Sequence, residues 1–397
     1  MKTLPQFGCA ALLCMGFTVP AGNAAASSEN VLYSFSKNAE PFGRLLDNKS
    51  SIMYGTAYYG ETGGGSVYQF QQKRGSWKLR EVVQFGGGTN DGRHPYAGVV
   101  ASSDGAVYYG TTAAGGTSKR GTIFSITHAG GSWTKTILHN FTGSDGARPY
   151  GMLLKDKATG VLYGTALQGG SANCGTFFGL DPKTGSFAVL YNFLGGSDGC
   201  KPQTQLRAGA KAGTLVGSTA YGGDSHSGTV FLLQQNGGVW TEHVVHALNG
   251  SDDGAYPADF AVANDGIVYG VASSGGTNGA GVVFRITNVN RRPNYSVLYN
   301  FTGGNDGSSP LGIQIDDSTG VLYGITSYGG TANFGTLFAL TPVGSQYTES
   351  VVHSFTAGSD GAYPISRPII DGTTGQLFGT TLSGGRSNHG VIYAVTP

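Results

Sequence analysis

Six residues of different type hold one repeated place in the chain, directly before a proline: His94, Arg148, Lys201, Tyr256, Ser309 and Tyr363. Each closes a loop such as FTGSDGARP (141–149) or LNGSDDGAYP (248–257). Cations and phenols gathered around one mouth would suit an acidic sugar, with Arg and Lys for its carboxylates and Tyr for its ring faces. They would also suit a uronate lyase, in which cations hold an enolate while Tyr or His moves protons. Such variety equally fits a solvent-facing position under no constraint. Tyr58, Tyr221 and Tyr328 lie in a second set of loops, with Tyr59, Arg120, His226 and His389. The candidate ligand-binding set is therefore His94, Arg148, Lys201, Tyr256, Tyr363, Tyr58, Tyr221 and Tyr328.

Other residues that could do chemistry have simpler roles. Asp91, Asp145, Asp198, Asp253, Asp306 and Asp360 recur in the same loops. They could form a ring of carboxylates for a cation. A residue present in every copy is better explained as an Asx turn, bonding its own loop amides beside a Gly. His139, His246 and His353 fall at or next to the place of Tyr33, Tyr191 and Tyr299, on a strand at the outer side of each repeat. No His/Cys spacing suits a metal and no D-x-D-x-D-G loop suits calcium. No phosphate loop of the G-x-x-x-x-G-K-[ST] type and no nucleophile elbow occurs. No cofactor and no metal are expected, and no catalytic residue can be named.

The positioning elements follow from a repeat. MYGT (53–56), YYGT (108–111), LYGT (162–165), LVGS (215–218), VYGV (268–271), LYGI (322–325) and LFGT (377–380) place glycines 55, 54, 53, 53, 54 and 55 residues apart. One copy reads as four strands: PYGMLLKD, VLYGTAL, GTFFGLD and SFAVLYNF, over 149–193. Each run is rich in β-branched and aromatic residues and bounded by turn residues. Seven such copies predict an all-β, seven-bladed β-propeller with four-stranded blades. The last copy has three strands only. VLYSF (31–35) matches VLYNF (189–193) and SVLYNF (296–301), so it is a spare fourth strand. Pairing it onto the strand near 390–395 would complete blade 7 and remove an open edge. Strand alternation then sets the loops between the second and third strands on the same face as the proline-ended loops.

The glycine motifs above, GG followed by GT[VIL]F, and the run YxFxGGxDGxxP resemble the bacterial tandem-repeat family called GloVer, found in secreted "choice-of-anchor" proteins. The resemblance covers essentially all of the chain after its leader. It implies a secreted or surface-attached propeller, and no established activity. The chain departs from many members in ending at Pro397 directly after a strand, so no C-terminal anchor is expected.

Composition bounds the rest. Residues 1–26 read as a secretory signal peptide, with an apolar stretch from Phe7 to Val19 and small residues after it. Residues 27–397 are then one propeller domain, secreted or periplasmic. Lys+Arg number 24 and Asp+Glu 23, which excludes the basic field of an electrostatic nucleic-acid binder. No apolar run after the leader is long enough to span a membrane. Charged residues are 12% and glycines number 69, a balance that suits turns and strands. Cys174 and Cys200 lie on one face of the same blade and are expected to form a disulfide. A monomer that binds a polysaccharide or surface protein through its long-loop face is the expected function. A polysaccharide lyase or glycoside hydrolase at the same mouth is the alternative. The blade-specific carboxylate pair that glycoside hydrolysis needs is not apparent, which favours binding.

Overall fold

The third strand of each blade carries the bulkiest side chain, and the repeat glycine on the second strand makes room for it. In blade 5 a Cβ on Gly270 would sit 2.2 Å from the Phe284 ring. Phe124, Phe178, Phe231, Phe284 and the hydroxylated Tyr68 and Tyr393 are fully buried in this way. The repeat glycine is therefore a packing requirement, and seven of them fix seven blades.

The computed structural model describes residues 28–36, 39–47 and 52–397. The expected leader, 1–26, lies outside the described residues. Among the described residues the chain forms a ring of seven antiparallel blades, each with strands in the order A-B-C-D from the axis outward, and one two-stranded pair, Gly92–Arg93 with Ala114–Gly115. Blade 3, for example, consists of Leu154–Lys155, Leu162–Ala166, Thr176–Leu180 and Phe187–Asn192. Among the described residues the helical content is one 3-10 turn, Gly196–Asp198, and no helix is long and apolar enough to cross a membrane.

The seams between blades repeat three devices. First, the aromatic that ends strand D packs on the strand C aromatic of the next blade: Phe85 on Phe124 at 4.8 Å, Phe141 on Phe178 at 5.2 Å, Phe193 on Phe231 at 5.1 Å, Phe301 on Phe338 at 5.1 Å. Burying each such ring contributes roughly 1.5–3 kcal/mol. Second, the loop proline covers the glycine of the preceding GT motif. At Gly121 a Cβ would meet Pro149 Cδ at 2.7 Å, and its φ of +102° is open to glycine. Third, each loop Asp accepts from the amide that starts its own loop, as Thr142 N–H to Asp145 at 2.8 Å and Thr356 N–H to Asp360 at 2.8 Å. The same carboxylates hold the strand D residues: His139 to Asp145 at 3.0 Å, His246 to Asp253 at 2.9 Å, Tyr299 to Asp306 at 3.0 Å. Asp and His thus serve the loop and the seam.

The ring closes through the spare strand. Ser28–Ser34 pairs antiparallel with Val391–Thr396, with Val31 opposite Tyr393 and Tyr33 opposite Ile392. One residue, Leu32, is left over as a bulge. The same bulge falls at the same place between strands C and D of the other blades, for example between Phe177 and Phe178 and between Val283 and Phe284. Leu32, Leu190 and Leu298 are equivalent extra residues, so the register of the closing strand is that of an ordinary strand D. Phe35 then packs on Tyr68 of blade 1 at 5.7 Å.

One expectation is corrected. The run PYGMLLKD (149–156) is not a full strand: only Leu154–Lys155 pairs. Strand A is equally short in blades 1 and 2, at Leu46–Asp47 and Val100–Ala101. Near the axis the inner segments crowd one another. A Cβ on Gly98 would lie 2.3 Å from the Arg44 carbonyl, and one on Gly151 would lie 2.8 Å from that of Thr204. The chain bends to fit, and side chains just after each proline turn into the channel.

Candidate functional site: the central channel

The residue before each loop proline is left-handed in all seven blades: Glu40, His94, Arg148, Lys201, Tyr256, Ser309 and Tyr363 have φ between 46° and 62°. This conformation frees the backbone N–H to cross the seam. His94 donates to Gly64 O at 2.7 Å, Arg148 to Arg120 O at 2.8 Å, Lys201 to Cys174 O at 2.8 Å and Tyr256 to Ser227 O at 2.8 Å. The backbone does the same work at six of the seven positions, Ser309 and Tyr363 included, so it leaves the side-chain type free.

On the rim those side chains form separate groups. His94 stacks on Tyr58 at 4.5 Å, and its Nδ1 lies 3.1 Å from Tyr58 O. The Lys201 ammonium sits 4.5 Å over the Tyr221 ring, and Tyr221 meets Tyr256 edge-on at 5.5 Å. Tyr328 meets Tyr363 at 5.5 Å. No ring contact joins these three groups among the described residues. Lys201 is also next to the Cys174–Cys200 disulfide, which ties a B–C loop to a D–A loop on this face. Arg148 is exposed and its guanidinium lies 6.0 Å from the Tyr150 ring.

The Tyr58 group continues into the channel. Phe42 meets Tyr58 at 5.5 Å, stacks on Tyr96 at 4.8 Å, and Tyr96 stacks on Tyr150 at 4.6 Å. These three rings each follow a loop proline, in blades 1, 2 and 3. They line one side of a cavity of about 130 Å3 at the axis. Across from them stand Ala258, Leu311 and Ile365 of blades 5, 6 and 7. The mouth therefore has an aromatic half and an aliphatic half, with Gln203 of blade 4 between them.

Deeper in the same cavity lie Arg44, Arg207, Arg367 and Asp259, from blades 1, 4, 7 and 5. Arg207 Nη2 is 3.2 Å from Asp259 Oδ1, and Arg367 Nε is 3.8 Å from Asp259 Oδ2. Both arginines also donate to Phe260 O, at 3.0 and 3.3 Å. Burial pushes the Arg44 guanidinium down to about 10, with Arg207 adding to the effect and Asp259 opposing it. Burial lowers Arg207 too, and lowers Arg367 further, with Arg207 and Arg44 as neighbouring cations. Among the described residues no group of three His, Cys, Asp or Glu side chains could hold a metal.

Sequence reasoning passed over Phe42, Arg44, Tyr96, Tyr150, Arg207, Asp259 and Arg367. A usable signal was present: charged residues inside a segment that is otherwise small or apolar. Segments 18–154, 89–284 and 259–397 match the Gloeobacter/Verrucomicrobia repeat, which between them span nearly the whole chain. The chain belongs to the Gloeobacter/Verrucomicrobia repeat family. No curated protein matches it. Among solved structures, hydrazine synthase of Kuenenia stuttgartiensis is similar at 15% identity, covering 91% of this chain and 97% of that one with a TM-score of 0.60. The oligogalacturonate lyase of Vibrio parahaemolyticus is similar at 9% identity, with 94% of each chain covered and a TM-score of 0.59. A putative 6-phosphogluconolactonase of Bacteroides uniformis is similar at 13% identity, covering 85% and 88%, with a TM-score of 0.56. At these identities the likeness is one of fold, and the family's repeat carries no chemistry by itself.

Proposed function

We propose that this protein is an exported glycan-binding propeller that seats a sugar on the aromatic rank at the mouth of its channel. The observation that carries the reading is the half-buried stack of Phe42, Tyr96 and Tyr150, rigidly spaced at 4.8 and 4.6 Å. Stacked on one another, these rings present their edges and the Tyr96 and Tyr150 hydroxyls to a sugar, already ordered and so at little entropic cost. Polar groups beside them, Gln203 and the rim residues His94 and Arg148, can orient a chain that leaves the channel. Export fits the Cys174–Cys200 disulfide, which suits an oxidising compartment.

The test is a pull-down of residues 28–397 on a panel of neutral and acidic polysaccharides, with the soluble phase read by mass spectrometry. Wild type is expected to be retained, and Tyr96→Ala to lose at least tenfold in affinity while melting within a few degrees of wild type. Equal retention of Tyr96→Ala would remove the aromatic rank from the site. Retention of a polysaccharide together with new oligosaccharides in solution would replace the binding reading with that of a lyase or hydrolase at the same mouth. No retention on any member would sink the glycan reading.

A further inference from the structure

We propose that Arg44, Arg207 and Arg367 form a receptor for one oxyanion group of the bound sugar, a uronate carboxylate or a sulfate ester, at the floor of the aromatic funnel. This rests on the channel being the glycan site, and it adds the class of glycan. Three guanidiniums face one carboxylate, so the cluster is two charges from neutrality. A buried charge without a partner is costly, and guanidiniums keep their protons at neutral pH. Asp259 is already engaged on both oxygens, by Arg207 at 3.2 Å, by Arg367 at 3.8 Å and by the Ile313 N–H at 3.3 Å.

A structural role accounts for two of the three arginines. Arg207 and Arg367 both donate to Phe260 O and so staple blades 4 and 7 to blade 5. It does not account for Arg44. The buried Nε of Arg44 has no hydrogen-bond partner. The cavity that these side chains line, about 130 Å3, has room for an oxyanion and some water, and Phe42, Tyr96 and Tyr150 line it too. A guanidinium fork matches carboxylate and sulfate oxygens in pairs.

The experiment is calorimetric titration of wild type, Arg44→Met and Asp259→Asn with four probes at constant ionic strength: an alginate trimer, its carboxyl-reduced neutral counterpart, a sulfated galactan oligomer and inorganic sulfate below about 10 mM. Melting is followed in parallel against a chloride control. An acidic oligomer is expected to bind wild type at least tenfold tighter than the neutral one. Arg44→Met is expected to bring that ratio close to one. Asp259→Asn removes the competing carboxylate, so its melting temperature should rise more with sulfate than wild type's does. The variant also serves if Arg44→Met fails to fold. Carboxylate preference over sulfate, or the reverse, identifies which acidic sugar is taken. Equal binding of acidic and neutral oligomers would overturn the anion receptor and leave the glycan site standing. Stabilisation by sulfate with no oligomer bound would keep the receptor and overturn the glycan reading. No response to any probe would overturn both.

Discussion

Seven glycines of the repeat are legible in the sequence because each has no substitute in its place. A Cβ on Gly270 would lie 2.2 Å from Phe284, while Gly372 has nothing within 4 Å. Gly270→Ala is expected to lose about 1–3 kcal/mol through overpacking, whereas Gly372→Ala should stay within about 0.5 kcal/mol of wild type. Urea midpoints of the two variants decide this, and equal midpoints would refute the packing account. The Asp role was legible for a like reason, since a residue that recurs in six loops serves the loops, and the three histidines were legible from the tyrosines that hold their place in other copies. The channel cations were legible only one by one, as charges in otherwise small or apolar segments, and not as a cluster. Arg44 and Arg367 stand three residues after their prolines, Arg207 five and Asp259 two. Only Arg44 and Arg367 share a repeat position, so superposing the copies cannot gather the four. Only the bent inner segments do so.

Strand D of each blade meets the loop of the preceding one, and three of these seams set carboxyls against each other. Burial and the Asp198 charge push Glu242 up to about 8. Burial and Asp306 push Glu349 up to about 7, and burial and Asp360 push Glu29 up to about 7. A folded-state value raised above 4.5 gives a contribution that is full below that pH and lost as pH rises through 7 to 8. Burial lowers His139 and His353, against the pull of Asp145 and Asp360, so they act with the opposite sign as pH falls below 6.5. Glu242→Gln isolates one carboxyl. Between pH 5 and pH 9 its melting temperature should fall less than that of wild type. Parallel curves would show that the seam does not titrate. The seams were only half legible: the aromatic at the end of VLYNF marks a plug, but its partner lies on the next blade, some 40 residues away in blade 3 to 4, where Phe193 meets Phe231.

The whole ring was legible from glycine spacing, the missing fourth strand of blade 7 and the spare VLYSF. What spacing could not supply was the length of the inner strand, two residues in blades 1 to 3 against eight in blades 5 and 6, because it is set by how neighbouring inner segments meet at the axis. Two links outside the regular seams differ in what they hold. The Cys174–Cys200 bridge closes 26 residues, and its loss should lower stability by roughly 3 kcal/mol without opening the ring. Removing residues 28–35 should instead bare the edge of Val391–Thr396 and empty the seat of Phe35. Light scattering on the shortened protein should show association that the Cys174→Ser/Cys200→Ser variant does not. A shortened protein that stays monodisperse would refute closure by this strand.

Joining residue 28 to residue 396 also ties the protein's chemistry to the order of its synthesis. A ribosome can release blades 1 to 6 one after another, each complete in itself. Blade 7 must wait, with its outer strand made among the earliest segments and its inner three made last. Arg44 and Arg367 flank that final seam, so the cluster at the axis comes together only once Val391–Thr396 has been made and paired. A product that stops short of Val391–Thr396 can carry nearly every channel residue and still lack the seam that sets Arg44 beside Arg367.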